Sequence, residues 1–260
     1  MSPSNPSPAP QPPGVSQRHL LLFDIDGTLL VSGGAGGDAM LQTLREEFEI
    51  EKVTGDIPAA GRTDFAITSD LFEQFEIEAT TAVRERFLAS YLANLRGVLP
   101  TLPGRVLPGV LPLLQRVEAL PHVDVALLTG NFRAAAAAKL QAYELTQYFP
   151  HHGNGEPIGG FGDDFPARDD VARVAFREAN AAGPSPYDPR RTWVIGDTPA
   201  DVQCGRAIGA RTVAVATGLF DRPTLAACEP DVLLDTLEET AWLDQLTQGS
   251  LRGRTEAAAD

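Results

Sequence analysis

Cysteine is nearly absent: Cys204 and Cys228 are the two in 260 residues. Neither sits in a CxxC spacing, and two alone define no disulfide or zinc framework. Two reduced thiols in a cytosolic protein are the expectation. Positive charge is also scarce, with 21 Lys+Arg against 35 Asp+Glu and a net charge of −14. No basic stripe offers itself to nucleic acid, so no nucleic-acid partner is expected. An anionic ligand has to be attracted locally, by a metal or a few basic groups, because the overall field repels it. Apolar runs long enough to cross a bilayer are missing, and no membrane partner is expected. The N-terminus lacks a basic segment followed by an apolar one, so no secretory signal is expected and a cytoplasmic location is.

Several familiar signatures are missing as well. The glycines of 33–37 are not followed by the Gly-Lys-Ser/Thr ending of a phosphate-binding P-loop. The glycines of 153–160 join no clear strand to a helix, so they make no dinucleotide fingerprint. His151 and His152 have no partner at metal spacing, and no Ser stands in a Gly-x-Ser-x-Gly elbow.

What is present suits a globular chain, with 43% hydrophobic and 22% charged residues. The length fits one large α/β domain or a core with a smaller unit. Residues 1–17 are rich in Pro and Ser and are expected to be a disordered tail; 248–260 is expected to be a flexible one. Apolar runs at 19–25, 123–129, 192–196, 212–216 and 232–234 read as buried strands. The clearest lack alternation, as in a parallel sheet covered on both faces. Helical patterns at 108–120, 134–143, 169–182 and 199–208 lie between them. The alternation predicts right-handed βαβ units and a doubly wound parallel α/β sheet.

Residues 33–104 break the pattern. They carry helical segments at 39–48, 64–75 and 80–95 and no convincing strand. The glycine-rich run 33–37 and the run 100–104 read as hinge-like linkers. The expectation is a core of 18–32 and 105–247 with a helical lid inserted after the first strand; the other possibility is that these helices extend the main core.

Four clusters can carry chemistry. Asp24 and Asp26, in Phe23-Asp24-Ile25-Asp26-Gly27-Thr28, follow an apolar strand, at the sheet edge where ligands of open α/β folds bind. Carboxylates two apart on a strand share a face. Together they attract a hard cation such as Mg2+, and their pKa values can diverge, so that one attacks while the other carries a proton. An ordinary Asp-Gly turn would look the same. Asp197 and Asp201, in Gly196-Asp197-Thr198-Pro199-Ala200-Asp201, sit at another strand end and can face the same metal. They also read as a helix cap, which is compatible with metal binding. Thr129, Gly130 and Asn131 offer a hydroxyl and bare amides before a helix, suited to phosphate but equally to a plain turn. Phosphoryl transfer also needs a cation. Arg168, just ahead of a helix, is the candidate, whereas Lys139, Arg173 and Arg177 read as solvated helix residues.

In this order the four clusters resemble the motifs of the haloacid dehalogenase superfamily of phosphatases, over nearly all of residues 18–247. The helical insertion resembles that family's first cap type, and Gly61-Arg62-Thr63-Asp64 resembles a segment of phosphoglycolate-phosphatase-like members. The resemblance implies that Asp24 attacks phosphorus and forms an aspartyl-phosphate. Asp26 would protonate the leaving oxygen and then deprotonate water. Mg2+ would be held by Asp24, the Asp26 backbone carbonyl and Asp197, with Asp201 close by. Thr129 and Gly130, with Asn131 beside them, would hold the phosphoryl oxygens. The third motif usually supplies Lys, and Arg168 departs from that. Asp26 argues against dehalogenase and capped phosphonate-hydrolase chemistry. Substrate choice falls to the cap, with Arg62 as a candidate or else a surface residue. A small phosphorylated metabolite is the implied partner, for a monomer or homodimer. The implied activity is a small-molecule phosphomonoesterase. A sugar-phosphate mutase and a catalytically silent phosphate-ligand binding protein remain the alternatives.

Overall fold

A computed structural model describes residues 18–52, 59–184 and 186–247. Both expected tails, 1–17 and 248–260, lie outside the described residues. Strand β1 (His19–Phe23) leads to the short β2 (Leu30–Val31), followed by helices α1 (Ala35–Phe48), α2 (Asp64–Gln74) and α3 (Thr81–Val98). The chain continues through β3 (Arg105–Val106), α4 (Val110–Glu118), β4 (Val123–Leu128), α5 (Arg133–Ala142), β5 (Gly159–Gly160) and α6 (Arg168–Ala182). It finishes with β6 (Thr192–Gly196), α7 (Pro199–Ala207), β7 (Arg211–Val215), α8 (Arg222–Ala227), β8 (Val232–Leu234) and α9 (Asp244–Thr247).

The main sheet is parallel and ordered β5-β4-β1-β6-β7-β8. Every side chain of β1 is buried, for the reason its sequence lacks alternation. Leu21 and Phe23 enter one core with Leu113, Leu127 and Trp193. Leu20 and Leu22 enter the other, against Val171, Ala172 and Ala175 of α6. With β4 on one side of β1 and β6 on the other, the connections part at β1, which opens a crevice beyond the carboxyl ends of these strands.

The short strands β2, β3 and β5 and the short helices α8 and α9 were not expected. β5 is a bare Gly-Gly pair without apolar or β-branched residues. Its glycines are needed because a side chain at Gly159 would overlap the Leu127 carbonyl, and one at Gly160 the Val171 carbonyl. β2 and β3 form an antiparallel ribbon where linkers enter and leave the inserted helices. The first linker is shorter than expected. Gly33 and Gly34 take positive φ, but Gly36 and Gly37 already belong to the first turn of α1. Helices α1, α2 and α3 share an apolar cluster of their own, centred on Leu44, Phe72, Phe87 and Tyr91, which extends to Phe132 and Ala135 at the start of α5. No helix among the described residues is long and apolar enough to cross a membrane.

Candidate active site

β1, β4 and β6 are neighbours, so the residues that follow them meet. Asp24 continues the β1 ladder by donating its amide to the Ile195 carbonyl at 3.0 Å. Its carboxylate, with those of Asp197 and Asp201, forms a buried acidic trio whose oxygens lie within 4.8 Å of one another. Asp197 is held by the Thr28 hydroxyl, which donates to its Oδ1 at 3.0 Å. A side chain at Gly218 would overlap Asp197 Oδ2, so the loop beyond β7 closes tightly on this carboxylate. Asp201 forms a capping box with Thr198 at the start of α7, accepting from the Thr198 amide at 3.0 Å and hydroxyl at 2.7 Å. Its other oxygen accepts from Arg168, so Asp201 is more committed to the protein than Asp24 or Asp197.

Burial and mutual repulsion govern the trio. Burial pushes the Asp24 carboxyl up to about 6, opposed by the Arg168 guanidinium. Burial, with the nearby charges of Asp24 and Asp201, pushes Asp197 up to about 8. Carboxylates this reluctant to ionise together suit a site that a hard cation completes. The trio fits Mg2+ on its donor chemistry.

Arg168 stands beside the acidic trio. It is 8% exposed, its Nη2 stands 3.5 Å from Asp24 Oδ1, and it also pairs with Asp201. Its Nε is buried without a hydrogen-bond partner among the described residues. The Cys204 thiol donates to the Arg168 backbone carbonyl at 3.4 Å, which ties α7 to the start of α6. Thr129 is fully buried, and its hydroxyl accepts from the Asn131 side-chain amide at 2.8 Å.

Two expectations need correction, the shared strand face of Asp24 and Asp26 and the solvated position of Lys139. The β1 ladder reaches no further than Asp24, and Asp26 forms a lone bridge with Leu30, so Asp24 and Asp26 do not share a strand face. The Asp26 carboxylate lies outside the acidic trio and is held by Lys139 Nζ at 2.6 Å and Asn131 Nδ2 at 2.8 Å, both on Oδ2. A metal role for Asp26 is thereby restricted to its backbone carbonyl. Lys139 is no solvated residue: it is 4% exposed and also donates to Asn131 Oδ1 at 2.6 Å. Asn131 spends its side chain on Asp26, Thr129 and Lys139, and its backbone amide also donates to the Thr129 hydroxyl at 3.3 Å, so it supports Thr129 and Asp26. Arg62 borders the cavity, but its guanidinium pairs with Asp70 at 2.6 Å.

The sequence signal for Lys139 was faint. α5 is so rich in alanine that its buried and solvated faces do not contrast, although Lys139 lies four residues after the buried Ala135. Asp64 was also missed as a site residue. Its amide donates to the Gly130 carbonyl at 2.7 Å and its carboxylate accepts from the Phe132 amide at 2.8 Å, stitching the start of α2 to the loop after β4. Burial pushes its carboxyl up to about 7 against the pull of Lys139. Between this loop and the helices α1 to α3 lies a cavity of about 780 Å³, bordered by Asp24, Asp26, Arg168, Met40, Ile67 and Tyr91.

Comparison with known proteins gives the family of the chain. Residues 19–209 match the model of the haloacid dehalogenase-like hydrolases. A probable phosphatase of Dickeya dadantii, IndB, is 27% identical over 85% of this chain and 91% of its own. A phosphoglycolate phosphatase of Synechococcus elongatus is 30% identical over 58% of this chain and 64% of its own. The crystal structure of a hydrolase from Pseudomonas syringae superposes with a TM-score of 0.64 at 20% identity, covering 88% of this chain and 99% of that one. The chain belongs to the haloacid dehalogenase-like hydrolase family.

Proposed function

We propose that the protein is a Mg2+-dependent phosphatase that hydrolyses small phosphomonoesters through an aspartyl-phosphate on Asp24. The observation that carries this reading is the meeting of Asp24, Arg168 and Asp197 at the ends of adjacent strands, with Asp26 close by at the cavity wall. The phosphatase names of the relatives support the same class, and phosphoglycolate-like esters are the first substrates to try.

The Asp24 carboxylate attacks phosphorus while the bond to the ester oxygen breaks. Asp26 gives its proton to that oxygen, and the alcohol leaves. Water then attacks phosphorus and passes a proton to Asp26; the acyl-phosphate P–O bond breaks and returns the Asp24 carboxylate. Arg168, Thr129 and the backbone at Gly130 stabilise the charge on the equatorial oxygens throughout. Mg2+, held by Asp24, Asp197 and the Asp26 carbonyl with Asp201 nearby, would neutralise charge on the phosphoryl group and its attacker. Helices α1 to α3 act as a cap that excludes water and carries specificity. A cytoplasmic enzyme with a small phosphorylated metabolite as its partner, monomeric or homodimeric, fits the two free thiols and the acidic composition.

Purified protein with Mg2+ should release phosphate from a generic ester and form no isomer from a hexose phosphate. Asp24→Asn should lower turnover by at least about a thousandfold, since it removes the nucleophile, with an unchanged circular dichroism spectrum. Wild-type turnover in that variant would refute the mechanism.

A further inference from the structure

We propose that Lys139 and Asn131 are positioning residues that aim the Asp26 carboxylate at the leaving oxygen, and that they set which leaving groups the site can expel. This rests on the phosphatase reading above. The two donors converge on one atom: Lys139 Nζ and Asn131 Nδ2 reach Asp26 Oδ2 at 2.6 and 2.8 Å. They also brace each other, since Lys139 donates to Asn131 Oδ1 at 2.6 Å and Asn131 donates to the Thr129 hydroxyl at 2.8 Å. Asp26 Oδ1 accepts no hydrogen bond among the described residues, so it is the oxygen left to carry and deliver a proton.

Exposure separates the partners. The Lys139 side chain is 5% exposed and that of Asp26 is 40% exposed. A half-exposed carboxylate rotates freely unless something fixes it, and a proton donor is effective only within hydrogen-bond reach of its target. Two buried donors on one oxygen supply that fixation. A buried ammonium, for its part, is tolerated only where it is paired.

Neither other use of Lys139 fits. Burial excludes a solvated face. For a direct phosphate contact Nζ has one N–H left after Asp26 and Asn131, and it is Arg168 that stands beside Asp24.

The test is leaving-group dependence. An alkyl phosphate expels a strongly basic alkoxide and needs a proton donor, whereas 4-nitrophenyl phosphate expels a stable phenolate and hardly does. In the full chain with Mg2+, Lys139→Met should lower kcat/KM for a primary alkyl phosphate about 100-fold and that for 4-nitrophenyl phosphate less than about tenfold, within the range of general acid catalysis. Asn131→Leu should show the same bias more weakly. Combining Lys139→Met with Asp26→Asn should add nothing to the bias of Asp26→Asn alone. Equal losses on both esters, or fully additive effects, would overturn the proposal. A thermal melt monitors folding. If Lys139→Met does not fold, Lys139→Arg takes its place, with a smaller bias of the same sign expected and an unbiased loss counting against the proposal. A wild-type protein inactive on both esters, or an Asp24→Asn variant with full turnover, would instead refute the phosphatase reading itself.

Discussion

The two flanks of β1 present a cation to a carboxylate in different ways. On the α6 side, Arg168 faces Asp24 and Asp201 in a dry setting, with side chains 7%, 5% and 2% exposed. On the α5 side, a lysine equally buried holds an aspartate that opens to the cavity. The first arrangement suits a group that must keep its charge and place while phosphorus is attacked. The second suits a group that must exchange protons with substrate and water. A planar guanidinium can serve two carboxylates at once, whereas an ammonium behaves as a point charge whose donors can be shared between one carboxylate and one amide.

The largest effect should come from breaking the drier flank. Arg168→Met would strand Asp24 and Asp201 without their buried partner, at a cost of about 3–5 kcal/mol in urea unfolding. Turnover should fall by at least about 100-fold through lost charge stabilisation. Arg168→Lys should recover part of the activity. If Arg168→Met were as stable and active as wild type, the contrast between the flanks would be void.

An intermediate effect is expected where the acidic trio is fixed from outside. Gly218→Ala would push a methyl group into Asp197 Oδ2. The Mg2+ concentration for half-maximal activity should rise about tenfold, as for other losses of support around a metal ligand. Isothermal titration of Mg2+ into the variant checks this without turnover, and an unchanged affinity would remove Asp197 from the binding set.

The smallest effect concerns Asp64, on the wetter flank. Its carboxyl is raised from 3.8 to about 7 by burial, with Lys139 opposing and Asp26 and Asp163 adding to the rise. The folded state therefore binds a proton that the unfolded chain releases between these values. The contribution to stability is complete below the unfolded pKa and is lost as pH rises through the folded one. Asp64→Asn should flatten the fall in stability between about pH 4 and 7. Melting temperatures across that range decide it, and an unaltered slope would mean that Asp64 is ionised in the fold.

Much of the fold was legible because parallel strands covered on both faces leave unbroken apolar runs, as in β1 and β6. Helix starts carried cap signals, such as Thr198-Pro199 before α7. β5 left no such trace, because the position demanded the absence of side chains. The ribbon of β2 and β3 was too short to build a pattern.

For the site, the sequence by itself determined which groups stand at strand ends: Asp24 after β1, Thr129 after β4 and Asp197 after β6. Backbone geometry alone carries those to the carboxyl edge of the sheet. It also supplied Arg168, placed by the start of a helix. Only the tertiary structure decided which carboxylate faces which cation. That choice depends on where β1 stops, on how far Lys139 reaches from α5, and on the loop after β4 that sets Asn131 between them. The period of a helix shows that residues share a face, but an alanine-rich helix does not say which face is buried, and a lysine's charge argues for water until a partner is in reach.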